Sequence, residues 1–127
     1  MPSSTEFRDR SLGALLAFGP VDSRSMFGGY GFYMDGVMFG LIAYDTLYFK
    51  VDDGNRDRFI EAGMKPFTYE GKRRPVEMSY YQIPPTVFDD PGELAQWAER
   101  SLAAAKRAKR KNPSRKKKSA PRTAKRS

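Results

Sequence analysis

After Ala105 the sequence contains no aromatic and no branched aliphatic residue. A segment built from Lys, Arg, Ala, Ser and Pro cannot bury enough apolar surface to offset the entropy lost on ordering it. Whatever this chain folds into must therefore be made from its first 105 residues. The organisation expected is one domain over residues 1–105 and a disordered tail over residues 106–127. A stretch of about 100 residues can bury enough apolar area to fold alone, and 127 residues leave room for little more.

Charge divides the chain at the same place. Residues 1–104 carry 11 Lys and Arg against 15 Asp and Glu, a net of −4, whereas residues 105–127 carry 12 basic residues and no acid. The overall +8 thus comes entirely from one end. The basic residues are Lys106, Arg107, Lys109, Arg110, Lys111, Arg115, Lys116, Lys117, Lys118, Arg122, Lys125 and Arg126. A long, single-signed segment of this kind binds polyanions by displacing the counterions condensed on phosphates, which gives salt-sensitive affinity without base readout. The competing reading is a tail that only aids solubility or electrostatic steering.

Several function classes fall away. There is no Cys and no His, so the usual zinc sites and the Cys–His and Ser–His pairs cannot be built. No cofactor motif is present, and the expectation is a protein that binds rather than catalyses. The N-terminus has no basic region leading into an apolar one, and no apolar run reaches the roughly 20 residues that cross a bilayer. The expected setting is the cytoplasm, away from membranes.

Within the first 105 residues the pattern is α+β. A helix is expected over about Ser4 to Phe18, opened by a Ser3–Glu6 capping box, with Phe7, Ser11, Ala14, Leu15 and Phe18 on one face and Gly19-Pro20 as its stop. A three-stranded antiparallel meander follows. Its strands are Arg24–Met34, Val37–Tyr44 and Leu47–Val51, joined by Asp35-Gly36, a strong type I′ hairpin signal, and by Asp45-Thr46. A short helix fits Asn55–Ala62, ending at Gly63. A hairpin of Phe67–Tyr69 and Val76–Ile83 turns around Gly71-Lys72-Arg73-Arg74, and Pro84-Pro85 stops it. The last helix opens at Asp90-Pro91, with Leu94, Trp97, Ala98, Ser101, Leu102 and Ala105 at helical spacing.

The run Arg24-Ser25-Met26-Phe27-Gly28-Gly29-Tyr30-Gly31, then Asp35-Gly36-Val37-Met38-Phe39 and Leu47-Tyr48-Phe49-Lys50-Val51-Asp52, resembles the N-terminal domain of the TfoX/Sxy family. Gly63 through Pro66-Phe67, Met78-Ser79-Tyr80-Tyr81 and the Leu94–Ala98 helix extend the resemblance to roughly residues 10–104. It implies an α+β domain of bacterial regulators, some of which control natural competence, and it brings no catalytic residue. Full-length regulators carry a second, C-terminal domain where this chain has its basic tail.

The remaining candidates each have a plainer reading. Gly28-Gly29-Tyr30-Gly31 lies in or before a strand, so a bulge or close packing fits better than a phosphate cradle. Asp52-Asp53 and Asp89-Asp90 sit where helix caps are expected rather than acid–base pairs. Lys72-Arg73-Arg74 reads as an exposed turn or a second phosphate contact, and Arg24 as the partner of a carboxylate or a ligand. The sheet is rich in Tyr and Met, and some of its strands are apolar on both faces. Either helices cover both faces, or a second face is half-buried, or one face receives a protein partner or a second copy.

Overall fold

A computed structural model describes residues 4–26, 28–70 and 73–111. The chain forms α1 (Thr5–Ala14), β1 (Asp22–Met26), β2 (Gly29–Met34), β3 (Val37–Ala43), β4 (Thr46–Lys50), α2 (Arg56–Glu61), β5 (Pro66–Glu70), β6 (Pro75–Gln82), α3 (Pro85–Phe88) and α4 (Pro91–Lys111). The strands make one antiparallel sheet in the order β1-β2-β3-β4-β6-β5. The fold is α+β, as the sequence pattern predicts.

Local chemistry explains both the agreements and the departures. Asp35 and Gly36 have φ of 54° and 80°, the left-handed pair a type I′ turn requires. The next turn is of the same kind but sits at Tyr44-Asp45, one residue earlier than expected. The expected strand Arg24–Met34 is in fact two strands. The chain reverses at Gly28 (φ 84°), pairing Met26 with Gly29, so the meander has four strands and Met26 lies on the face opposite Tyr30 and Phe32. Gly31 is a close-packing glycine, since a Cβ there would lie 2.7 Å from the Met38 sulfur.

Helix α1 is capped by Ser4, whose hydroxyl accepts from the Phe7 amide at 3.0 Å; Ser3 lies outside the described residues. The helix stops at Ala14, not Phe18, because Leu15 begins a turn that closes through Gly19 N–H to the Leu15 carbonyl. Pro84-Pro85 does not simply end β6. Pro85 opens the one-turn α3, where its missing N–H costs nothing. Helix α4 starts as predicted, with the Asp90 carboxylate accepting from the Glu93 amide, but it continues through Lys111. The first six residues of the expected tail are therefore helical, and residues 112–127 lie outside the described residues.

The main core lies between the helices and one face of the sheet. Every expected contact residue of α4 (Leu94, Trp97, Ala98, Ser101, Leu102 and Ala105) is buried, packed over Phe32, Phe39, Ile42 and Phe49. Trp97 meets Phe59 of α2 edge to face at 4.8 Å. The opposite face holds a second cluster of Leu41, Ala43, Phe67 and Tyr80, shielded by Met26, Met38, Tyr48 and Met78. All of these are strand residues, so among the described residues no helix covers this face.

Candidate nucleic-acid interface

The length of α4 decides where the basic segment begins. Its last turns reach the end of the sheet formed by the β2–β3 turn and the exit of β4. There Arg107 grips Asp52 with two hydrogen bonds, Nε to Oδ2 at 2.6 Å and Nη2 to Oδ1 at 2.8 Å. Lys106 Nζ donates to Asp35 Oδ2 at 2.8 Å. The Arg107 hydrogen bond, with the Gly54 amide and the charges of Arg107 and Arg56, holds the Asp52 carboxyl at about 2, against the opposing effect of burial. Asp52 thus anchors α4 instead of capping α2.

The neighbouring residues fix that anchor. Asn55 is buried; its side-chain oxygen accepts from the Asp52 amide, and its amide donates to the Lys50 carbonyl and the Ser101 hydroxyl. This ties the end of β4 to α4 from the inside. Asp53 pairs with Arg56 at 2.7 Å. Between these pairs lies a cleft of 430 Å³ lined by Lys50, Ser79, Arg56, Asp52, Arg107 and Ala108, among others.

Lys50 is the distinctive group of this cleft. Its ammonium donates to Ser79 Oγ at 2.8 Å and lies 5.2 Å from the Tyr80 ring centre. Burial lowers its pKa, and Asp52 pushes it back up. Tyr80 in turn donates to the Met38 carbonyl at 3.2 Å, and burial raises its phenol well above the usual range. Lys50 therefore connects the end of α4 to the uncovered face of the sheet.

The twelve basic residues proposed as phosphate contacts are not equivalent. Lys106 and Arg107 are engaged by carboxylates. Lys109 and Arg110 are exposed on the last turn of α4, and Lys111 ends it. Arg115, Lys116, Lys117, Lys118, Arg122, Lys125 and Arg126 lie outside the described residues. Arg73 and Arg74 are exposed before β6 and take no part in the cleft; Lys72 is outside the described residues. Arg24 forms no ion pair with a carboxylate among the described residues; its guanidinium lies 4.6 Å from the Tyr33 ring centre.

Sequence reasoning missed Lys50, Arg56 and the anchoring roles of Asp35 and Asp52. One signal was available. Between Ala105 and Asn112-Pro113 there is no helix breaker, and Lys, Arg and Ala all favour helix, so α4 had no reason to stop where its apolar face did.

No group of three or more metal-ligating side chains is assembled among the described residues, and no described helix is long and apolar enough to cross a membrane. A search of curated proteins returned no match. The sequence matches the TfoX N-terminal domain over residues 14–105, which takes in all six strands and α2 to α4 up to the anchor. With most of its length covered by that match and a fold of the expected kind, the chain belongs to the TfoX N-terminal domain family.

Proposed function

We propose that this protein is a non-enzymatic accessory or regulatory factor of the bacterial cytoplasm that binds nucleic acid through its basic C-terminal segment. The observation carrying this reading is the charge division: 12 basic and no acidic residues after Ala104, on a body of net −4. Phosphate contacts of this kind supply affinity and position without reading bases. The ion pairs of Lys106 and Arg107 refine it, because they leave ten basic residues, from Lys109 onward, for phosphates. The folded domain fixes the root of the segment, and its acidic surface keeps the duplex at the segment rather than on the helices.

A second reading is a protein-interaction module, dimeric or with another partner, whose tail only aids solubility. The uncovered Tyr- and Met-rich sheet face favours it, since such residues are enriched at interface cores. Scrambling the order of residues 112–127 separates the two. Affinity for random-sequence duplex should survive scrambling and vanish when the basic residues of that segment become Gln. Affinity that depends on residue order, or that persists without the charges, would contradict the nucleic-acid reading.

A further inference from the structure

The cleft beside the end of α4 is lined by three cations, and only two of them are paired. Arg107 is held by Asp52 and Arg56 by Asp53. Lys50 forms no ion pair among the described residues, and its ammonium makes one hydrogen bond there, to Ser79 Oγ at 2.8 Å. An ammonium has three donors, so two remain for a group in the cleft. Burial lowers the Lys50 pKa, with Asp52 opposing it. A cation partly withdrawn from water and left without a counter-charge gains more from an incoming anion than a solvated one does.

The surrounding groups add donors at the same place. Arg107 gives Asp52 its Nε and Nη2, and Arg56 gives Asp53 its Nη1, so each guanidinium keeps N–H groups with no partner among the described residues. The Ser79 hydroxyl accepts from Lys50 and retains its own proton to donate. These positions are fixed from behind. Asp52 also takes the Gly54 amide at 2.8 Å, and a Cβ on Gly54 would stand 2.8 Å from Arg107 Nη2, so a larger residue would displace the guanidinium. Three cations against two carboxylates leave one positive charge in the cleft, on a body of net −4.

Size and lining narrow the occupant. A volume of 430 Å³ is that of a small-molecule site, and its lining contains no aromatic side chain, so the surface is made for a polar guest. A phosphate monoester brings up to about two charges and three acceptor oxygens. It can therefore meet Lys50, Ser79 and a guanidinium at once, whereas a carboxylate offers two oxygens and a single charge.

We infer that this cleft binds a small phosphate monoester, its oxygens accepting from Lys50, the Ser79 hydroxyl and the uncommitted N–H groups of Arg107 and Arg56. The site lies within the folded domain and is independent of the nucleic-acid role proposed for the basic segment. Lys50 belongs to β4, Ser79 to β6 and Arg107 to α4. The bound phosphate thus ties three elements together and strengthens the anchor of α4.

The full chain is titrated with glycerol phosphate, and in parallel with glycerol and with acetate, near 0.15 M salt while backbone amide resonances are followed by NMR. Gly54, Ser79 and Ala108 should shift together with glycerol phosphate and saturate at one ligand per chain. Glycerol should leave them in place, and acetate should bind at least roughly tenfold more weakly. Lys50→Gln should weaken glycerol phosphate binding about tenfold and abolish the rise in melting temperature that the ligand gives the parent. Ser79→Ala should weaken binding in the same direction, and it supplies the readout should Lys50→Gln fail to fold. Shifts spread over the basic residues without saturation, acetate binding as tight as glycerol phosphate, or unchanged affinity in the variants would overturn the inference.

Discussion

Two residues carry the most information about how this chain is held together. Trp97, 6% exposed against Phe59, joins α4 to α2. Trp97→Ala should cost about 3–5 kcal/mol through the cavity it leaves, a large part of the roughly 5–15 kcal/mol typical of a domain. Urea unfolding of parent and variant measures it, and equal midpoints would contradict the packing described. Asp52 acts through charge. Its carboxyl is held at about 2, below the roughly 3.9 of an unfolded chain, so its contribution is fully present above about pH 4 and is lost as pH falls through about 2. Asp52→Asn should lower stability at neutral pH by the order of 1 kcal/mol, because the pair is partly solvated. It should also flatten the fall in stability between pH 4 and 2. A variant with the parent's acid profile would show that Asp52 is not the anchor.

At the scale of elements, the sequence made plain what periodicity and turn chemistry control. The Asp35-Gly36 turn and the buried positions of α4 emerge where spacing and turn residues put them, and β3, β4 and the β5–β6 hairpin to within one residue. Besides the early stop of α1 and the one-turn α3, two things were hidden. Gly28 is a hairpin turn set in a glycine run that also contains the packing glycine Gly31, and composition cannot separate those roles. The end of α4 was hidden because its last turns are held by ion pairs with residues 55 and 71 positions away, not by an apolar stripe. The sheet edges are protected in the usual manner. Outer strand β1 carries Asp22 and Arg24, while β5 begins with Pro66 and a register shift. The anchored helix predicts different outcomes for two truncations. A chain ending at Lys111 should melt like the full protein, whereas one ending at Ala105 should melt several degrees lower for want of the Arg107–Asp52 pair. Identical melting of the two would place the end of the domain at Ala105.

The whole molecule is a body of net negative charge and a basic segment, joined where Arg107 is held by Asp52. The candidate site was half legible. The basic residues are evident from composition alone, but which of them are free for phosphate depends on where a helix ends, and Lys50 becomes notable only when the fold puts it beside that end. The central claim is that binding is electrostatic and lies beyond the anchor. Fluorescence anisotropy of a random-sequence duplex, titrated at several salt concentrations with the full protein and with the chain ending at Lys111, tests it most directly. If about six phosphates are neutralised, log affinity should fall against log salt with a slope near −5 for the full protein, and the truncated chain should lose most of both affinity and slope. Equal affinity of the two forms, or binding indifferent to salt, would contradict it.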